Sequence, residues 1–256
     1  MNIKPLKIVI AVVFLIMVIV NFLANILPIN GITTGDISDS YPNLFAPAGI
    51  TFSIWGIIYL LLAMYVISLF NRNNNEKLLD KIGIYFILSS VANILWIFCW
   101  HYDFIGLSAI LIVFILVSLI KINNTLNEED LSKRDKLLVK TPFSVYFGWI
   151  TVAVIANITT FLVSVNWNGF GFSEEKWTIV ILLVGAMIGI LRTIKDNSLP
   201  YGLVLLWAYS GILLKHFSQN NFAGQYPDII FTIMVCILFF LITMSYIILK
   251  RKEIKS

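Results

Sequence analysis

Five residues of this chain carry chemistry that the residues around them lack: Trp55, Asn93, Trp96, Trp149 and Asn157. They sit inside three different apolar stretches, where an amide is costly unless it finds a partner. Each indole offers a flat π face and one N–H, and each amide offers two donors and an acceptor. Such a set suits the stacking and orienting of a large planar apolar guest. Helical spacing gathers the set further. Trp149, Ala153 and Asn157 share a stripe at i, i+4 and i+8, and the small residue between two large ones leaves room for a flat guest. Asn93, Trp96 and Trp100 share a second stripe, and Phe52, Trp55 and Tyr59 a third. A plainer reading uses the same residues. Asn also joins membrane helices at about 0.6–2 kcal/mol per bond. Trp and Tyr gather at membrane interfaces, where Trp100, Tyr102, Trp167 and Trp177 are expected to form a belt. Spacing alone leaves pocket and packing both open.

The rest of the sequence narrows the chemistry by what it lacks. No GxGxxG, Walker or HExxH pattern occurs, and every Asp and Glu falls in a loop or at the end of an apolar stretch. Proton-coupled pumps and intramembrane metalloproteases need carboxylates or paired histidines at depth. Ordinary membrane enzymology is therefore disfavoured. His101 and His216 fall near one predicted face. Together they could serve as axial haem ligands, but lone interfacial histidines are the commoner case. Cys99 and Cys236 form neither a CxxC nor a loop pair, so no disulfide or metal site is expected.

What must position these residues is a bundle in lipid. Of 256 residues, 59% are hydrophobic and 12% charged, with a mean hydropathy of +0.90. A soluble domain carries about 25% charged residues. Apolar runs near 6–27, 47–70, 82–101, 104–122, 141–165, 177–194, 199–218 and 228–249 reach or approach the roughly 17–25 residues of a span. The expected fold is all-α, a polytopic transmembrane helical bundle of about eight helices in one integral unit. The third and fourth runs are separated only by residues 100–103 and read as a tight hairpin. Lys4 and Lys7 resemble the start of a signal peptide, but a core of about twenty residues exceeds the usual h-region of roughly 7–15. The first run is thus expected to remain as a span.

Charge gives the topology independently. Lys4, Lys7, Arg72, Lys77, Lys81, Lys121, Lys133, Arg134, Lys136, Lys140, Arg192, Lys195, Lys250, Arg251, Lys252 and Lys255 are sixteen of the 18 basic residues, and alternate spans put them all on one face. That face is expected to be cytoplasmic, with both termini, in a pattern that suits a bacterial plasma membrane. The net charge of +4 then reflects topology and requires no nucleic-acid partner.

At a rise of about 1.5 Å per residue, Trp55, Asn93 and Asn157 each come out roughly 12 Å below the outer face, and Trp96 about 7 Å. The seventh run contributes Trp207, Tyr209, Ser210 and Gly211, with Ser210 near the same level. Residues 28–46 form an outer loop whose only charges are Asp36 and Asp39. It is far longer than the median connection of about 4–6 residues and reads either as a cover over an outward-facing site or as a plain turn. Gly185 and Gly189 permit a close backbone approach, read first as packing within the chain and second as a homodimer seam.

At these residues the chain resembles the TspO/translocator-protein family, the tryptophan-rich sensory proteins. The helix-two entry reads Ala46-Pro47-Ala48-Gly49-Ile50-Thr51-Phe52-Ser53-Ile54-Trp55, followed by Tyr59; helix three carries Asn93-x-x-Trp96; helix five carries Trp149-x3-Ala153-x3-Asn157. The likeness covers roughly residues 5–165. Ala46-Pro47 stands where the family has Pro-Pro, the Gly-to-Trp distance is one residue short, Pro142 lies farther before Trp149, and Phe98 with Trp100 replaces an adjacent Phe pair. The resemblance implies a TspO-like five-helix core at 1–165, here followed by a three-helix segment at 166–256. It also implies a pocket, capped by the first loop, for porphyrin, haem or another planar hydrophobic small molecule. Ligand-binding roles fall on Phe52, Trp55, Tyr59, Asn93, Trp96, Trp149, Ala153 and Asn157. A binding or sensory membrane protein is the first expectation. The alternatives are a transporter of small lipophilic compounds and a porphyrin-degrading photo-oxidative enzyme.

Overall fold

A computed structural model describes residues 3–27, 29–70 and 76–253. Among them every regular element is helical: α1 Ile3–Ile26, α2 Thr34–Ser40, α3 Ile54–Phe70, α4 Glu76–His101, α5 Ile105–Glu128, the single turn α6 Lys133–Asp135, α7 Thr141–Ser164, α8 Glu174–Lys195, α9 Leu199–Phe217 and α10 Pro227–Glu253. A 3₁₀ segment, Gly49–Ser53, leads into α3, and a π-turn over Lys136–Lys140 leads into α7. Pro142 lies in the first turn of α7, directly after the π-turn. Residues of α1 and α10 such as Leu15, Phe22, Phe231 and Leu238 expose large apolar side chains, as a lipid-facing surface requires. Arg72, Lys255 and Pro28, counted above with the basic face and the first loop, lie outside the described residues.

Among the described residues seven helices are long and apolar enough to cross a membrane, and the chain is a multi-pass membrane protein. The seventh expected span, now α9, is the exception. It has 19 residues, and Tyr201, Ser210, Lys215 and His216 leave it no 18-residue stretch as apolar as those of the seven. Its position explains this. α9 packs against α7, α8 and α10, and its surroundings are largely protein, so it needs less lipid-soluble surface. α7 lies deepest, touching α3, α5, α8 and α9, and every residue from Pro142 to Val152 is buried. A helix apolar on every side is the sequence mark of such a position. The α4–α5 hairpin is as tight as expected, turning through Asp103 at φ 66°, a conformation that Asp tolerates.

Close approach explains the glycine pair. A Cβ at Gly189 would lie 2.5 Å from Leu205 Cδ1, and one at Gly185 would lie 2.8 Å from the Tyr209 hydroxyl. Both glycines seat α8 against α9 within the chain. At one end of the bundle, Arg192 bonds Asp196 and Asn124 at 2.6 Å each and lies 5.0 Å from the Phe147 ring centre, while Arg251 reaches Asn197 and Lys81 pairs with Glu129. The opposite end carries the first loop and the site.

Candidate functional site

The site lies where α3, α4 and α7 meet beneath α2. Phe52 packs edge-on to Trp149 with ring centres 5.9 Å apart, and Trp55 meets Trp149 edge-on at 6.3 Å. Trp55 also stacks on Tyr59 at 5.5 Å, and Trp96 stacks on Trp100 at 5.8 Å. Between these rings is a cavity of about 40 Å³. Its floor is small because Val152, Ala153 and Ala156 line it from α7. Phe52, Trp55, Trp96, Trp149, Ala153 and Asn157, six of the eight residues expected at the site, line this cavity. Tyr59 does not. It lines an adjoining groove of about 410 Å³ between α1 and α3, whose walls also include Thr34, Phe52 and Trp55.

Asn93 lies in neither space. It is fully buried, accepts a 2.7 Å hydrogen bond from Asn21 Nδ2 and donates to the Tyr146 hydroxyl at 3.4 Å. It thus ties α4 to α1 and α7, the packing role that an amide in lipid can fill. Asn157 is different. Its Oδ1 lies 3.2 Å from Ser108 Oγ, but its Nδ2 is buried with no partner. Trp96 Nε1 and Trp149 Nε1 are also buried without partners. Three N–H donors on residues that line one cavity are therefore unmatched.

Trp100 corrects the sequence reading. It was expected in the interfacial belt, but it is only 5% exposed, lines the cavity and donates from Nε1 to the Thr34 carbonyl at 3.1 Å. Its place on the Asn93–Trp96 stripe was the usable signal. Thr34, Ser38, Pro47 and Thr160 also line the cavity and were not anticipated. The first two come from α2, a helix hidden inside the polar loop. Thr33 caps it through the Asp36 N–H while Asp36 bonds back, a capping box written as Thr-x-x-Asp.

The first loop is fastened down as a lid. His101 Nδ1 donates to the Ile29 carbonyl at 3.0 Å, leaving Nε2 to accept from the Thr34 hydroxyl at 3.0 Å. Asn30 bonds the His101 carbonyl, and the Tyr41 hydroxyl donates to Asp103. On the other side, the Leu44 N–H donates to Glu174, Lys215 pairs with Asp39 at 2.6 Å, and His216 Nε2 donates to the Leu44 carbonyl at 2.9 Å. Both histidines thus hold the lid.

α9 also shapes the cavity wall from behind. The Ala48 N–H donates to the Gly211 carbonyl at 3.0 Å, and Trp207 Nε1 donates to the Thr51 carbonyl at 3.0 Å. A Cβ at Gly211 would lie 2.0 Å from Thr51 Oγ1, so only glycine lets α9 come this close to the segment bearing Phe52. Of the four seventh-run residues noted in the sequence, Trp207 and Gly211 make these contacts. Tyr209 bonds the Leu182 carbonyl, and Ser210 is exposed.

The model of a family described as TSPO-like protein matches residues 7–246. No curated protein and no solved structure matches the chain. Because the match continues past the motif-bearing first five spans and takes in α8, α9 and most of α10, the chain as a whole belongs to the TSPO-like protein family.

Proposed function

We propose that this protein binds a planar lipophilic ligand with hydrogen-bond acceptors, of the tetrapyrrole class, and serves as a membrane sensor of it. The observation that carries this reading is the trio of unmatched donors, Trp96 Nε1, Trp149 Nε1 and Asn157 Nδ2. About 90% or more of buried polar groups in proteins have a partner, and a lone one costs about 1–3 kcal/mol. Donors alone, among aromatic walls, suit a flat guest that brings carboxylate or carbonyl oxygens. A cavity of about 40 Å³ does not hold a tetrapyrrole as it stands. Phe52 and Trp55 are half-buried, and the adjoining groove gives them space to swing aside. The basic-residue pattern supports a bacterial plasma membrane, with both termini cytoplasmic and the lid outside.

Titration of the purified protein with protoporphyrin IX, followed by absorbance and tryptophan quenching, tests the reading. Trp149→Ala removes ring contacts worth about 0.5–1.5 kcal/mol and one donor worth about 0.5–1.5 kcal/mol. Affinity should fall about 5- to 150-fold. Wild-type binding in that variant would rule the site out.

A further inference from the structure

We infer that the groove between α1 and α3 is a lateral port through which the ligand passes from the lipid phase into the cavity; this rests on the binding reading above. Groove and cavity share Thr34, Phe52 and Trp55, so the two half-buried rings are the partition between them. The groove, at about 410 Å³, is the larger space by about tenfold. Gly49 and Gly56 lie on its wall, and a Cβ at either would meet nothing within 4 Å. The amides along α1 bond their own helix or α4: Asn25 bonds the Asn21 carbonyl, and Asn21 bonds Met17 and Asn93. They do not bridge the groove. Tyr59, on the opposite wall, has a buried hydroxyl without a partner. A guest with an acceptor oxygen would satisfy that hydroxyl on its way to the three donors inside.

The alternative route lies past the lid, and the geometry is against it. Leaving by that path breaks the bonds of Thr34, Asn30, Tyr41, Asp39 and Leu44 with α4, α8, α9 and the Asp103 turn. Entry from the side needs only rotation of Phe52 and Trp55. A lipophilic ligand is also concentrated in the bilayer, where the groove opens.

Gly56→Phe and, independently, Gly49→Phe fill the groove without meeting a neighbouring atom at Cβ. Stopped-flow tryptophan quenching by protoporphyrin IX, with the protein in phosphatidylcholine nanodiscs, reads the result. Both plugs should slow association and dissociation by about tenfold or more and leave the equilibrium constant within about threefold, with Gly56→Ala near wild type. Asp103→Ala, which removes the Tyr41 fastening of the lid, should leave association unchanged. Wild-type rates in both plugged variants overturn the port, as does acceleration by Asp103→Ala alone. Loss of equilibrium binding in the plugs makes the groove part of the binding site and also overturns it. Displacement of a co-purifying phospholipid with no change in rate makes it a lipid seat. Absence of saturable quenching in the wild type fells the binding reading itself.

Discussion

Gly211→Ala is a small change with a large expected effect. The new Cβ would lie 2.0 Å from Thr51 Oγ1, 2.6 Å from its Cγ2 and 2.8 Å from its Cβ. Carbon contacts are comfortable at about 3.5–4.0 Å, so either α9 or the 3₁₀ segment must retreat. Overpacking of this kind costs about 1–3 kcal/mol. Retreat also stretches the Ala48–Gly211 and Trp207–Thr51 hydrogen bonds, both 3.0 Å, each contributing about 0.5–1.5 kcal/mol. The expected loss is about 2–6 kcal/mol. Thr51→Ala supplies the internal control. Its hydroxyl is buried without a partner, so its removal should cost little. It also takes away the two nearest clashing atoms. In that background Gly211→Ala should cost about half as much or less, a coupling that a double-mutant cycle measures. Reversible unfolding in mixed detergent micelles, followed by circular dichroism, is the assay. Wild-type stability in Gly211→Ala, or an equal loss in both backgrounds, refutes the packing argument.

Two further outcomes follow from the lid and from the buried amides. The hydrogen bond to Asp103, then burial and the Asp103 charge, push the Tyr41 hydroxyl from 10.0 up to about 12. The folded value lies above the unfolded one, so this latch is fully present below pH 10 and is lost as pH rises through about 12. In a tyrosinate absorbance titration, the difference between wild type and Tyr41→Phe should show one group ionising near 12, and Asp103→Asn should return it towards 10. A Tyr41 that already ionises near 10 in the wild type contradicts the latch. Asn93→Leu should destabilise the bundle by about 1–3 kcal/mol while protoporphyrin IX affinity stays within about threefold. Asn157→Leu should chiefly weaken binding. The reverse pattern would place Asn93, not Asn157, at the ligand.

The two amides show how far the sequence could be read. Depth and helical phase placed Asn93 and Asn157 at one level, and both side chains are buried. Phase along a helix does not identify the neighbouring helix, and α1 supplied Asn21 as a partner for Asn93. Asn21 lies in the first run, which the sequence identified only as a span. Spans were legible because a bilayer demands long apolar runs, and α9 falls short of such a run where protein, not lipid, surrounds much of it. The Trp149–Ala153–Asn157 stripe was legible because it lies within one helix. Trp100 was misplaced because a tryptophan near a span end reads the same whether it faces lipid or a lid. The lid contacts were not legible: Leu44 with His216 and Ala48 with Gly211 join residues remote in sequence through backbone atoms, which carry no residue-specific signal.

That remoteness has a consequence for how the protein is made. Thr51 and Trp207 are 156 residues apart, Leu44 and His216 172, and Asp39 and Lys215 176. During synthesis α1 to α5 emerge long before α9 exists, and hairpins such as α4–α5 can close at once from local contacts. The Leu44 and Thr51 carbonyls must wait for nearly the whole chain. A ribosome stalled after α7 would therefore hold every motif residue of the site, with the lid fastened on its α4 side alone and no fixed rear wall. In this protein the candidate site is completed near the end of biosynthesis, although all the residues that line its cavity are made in the first two-thirds.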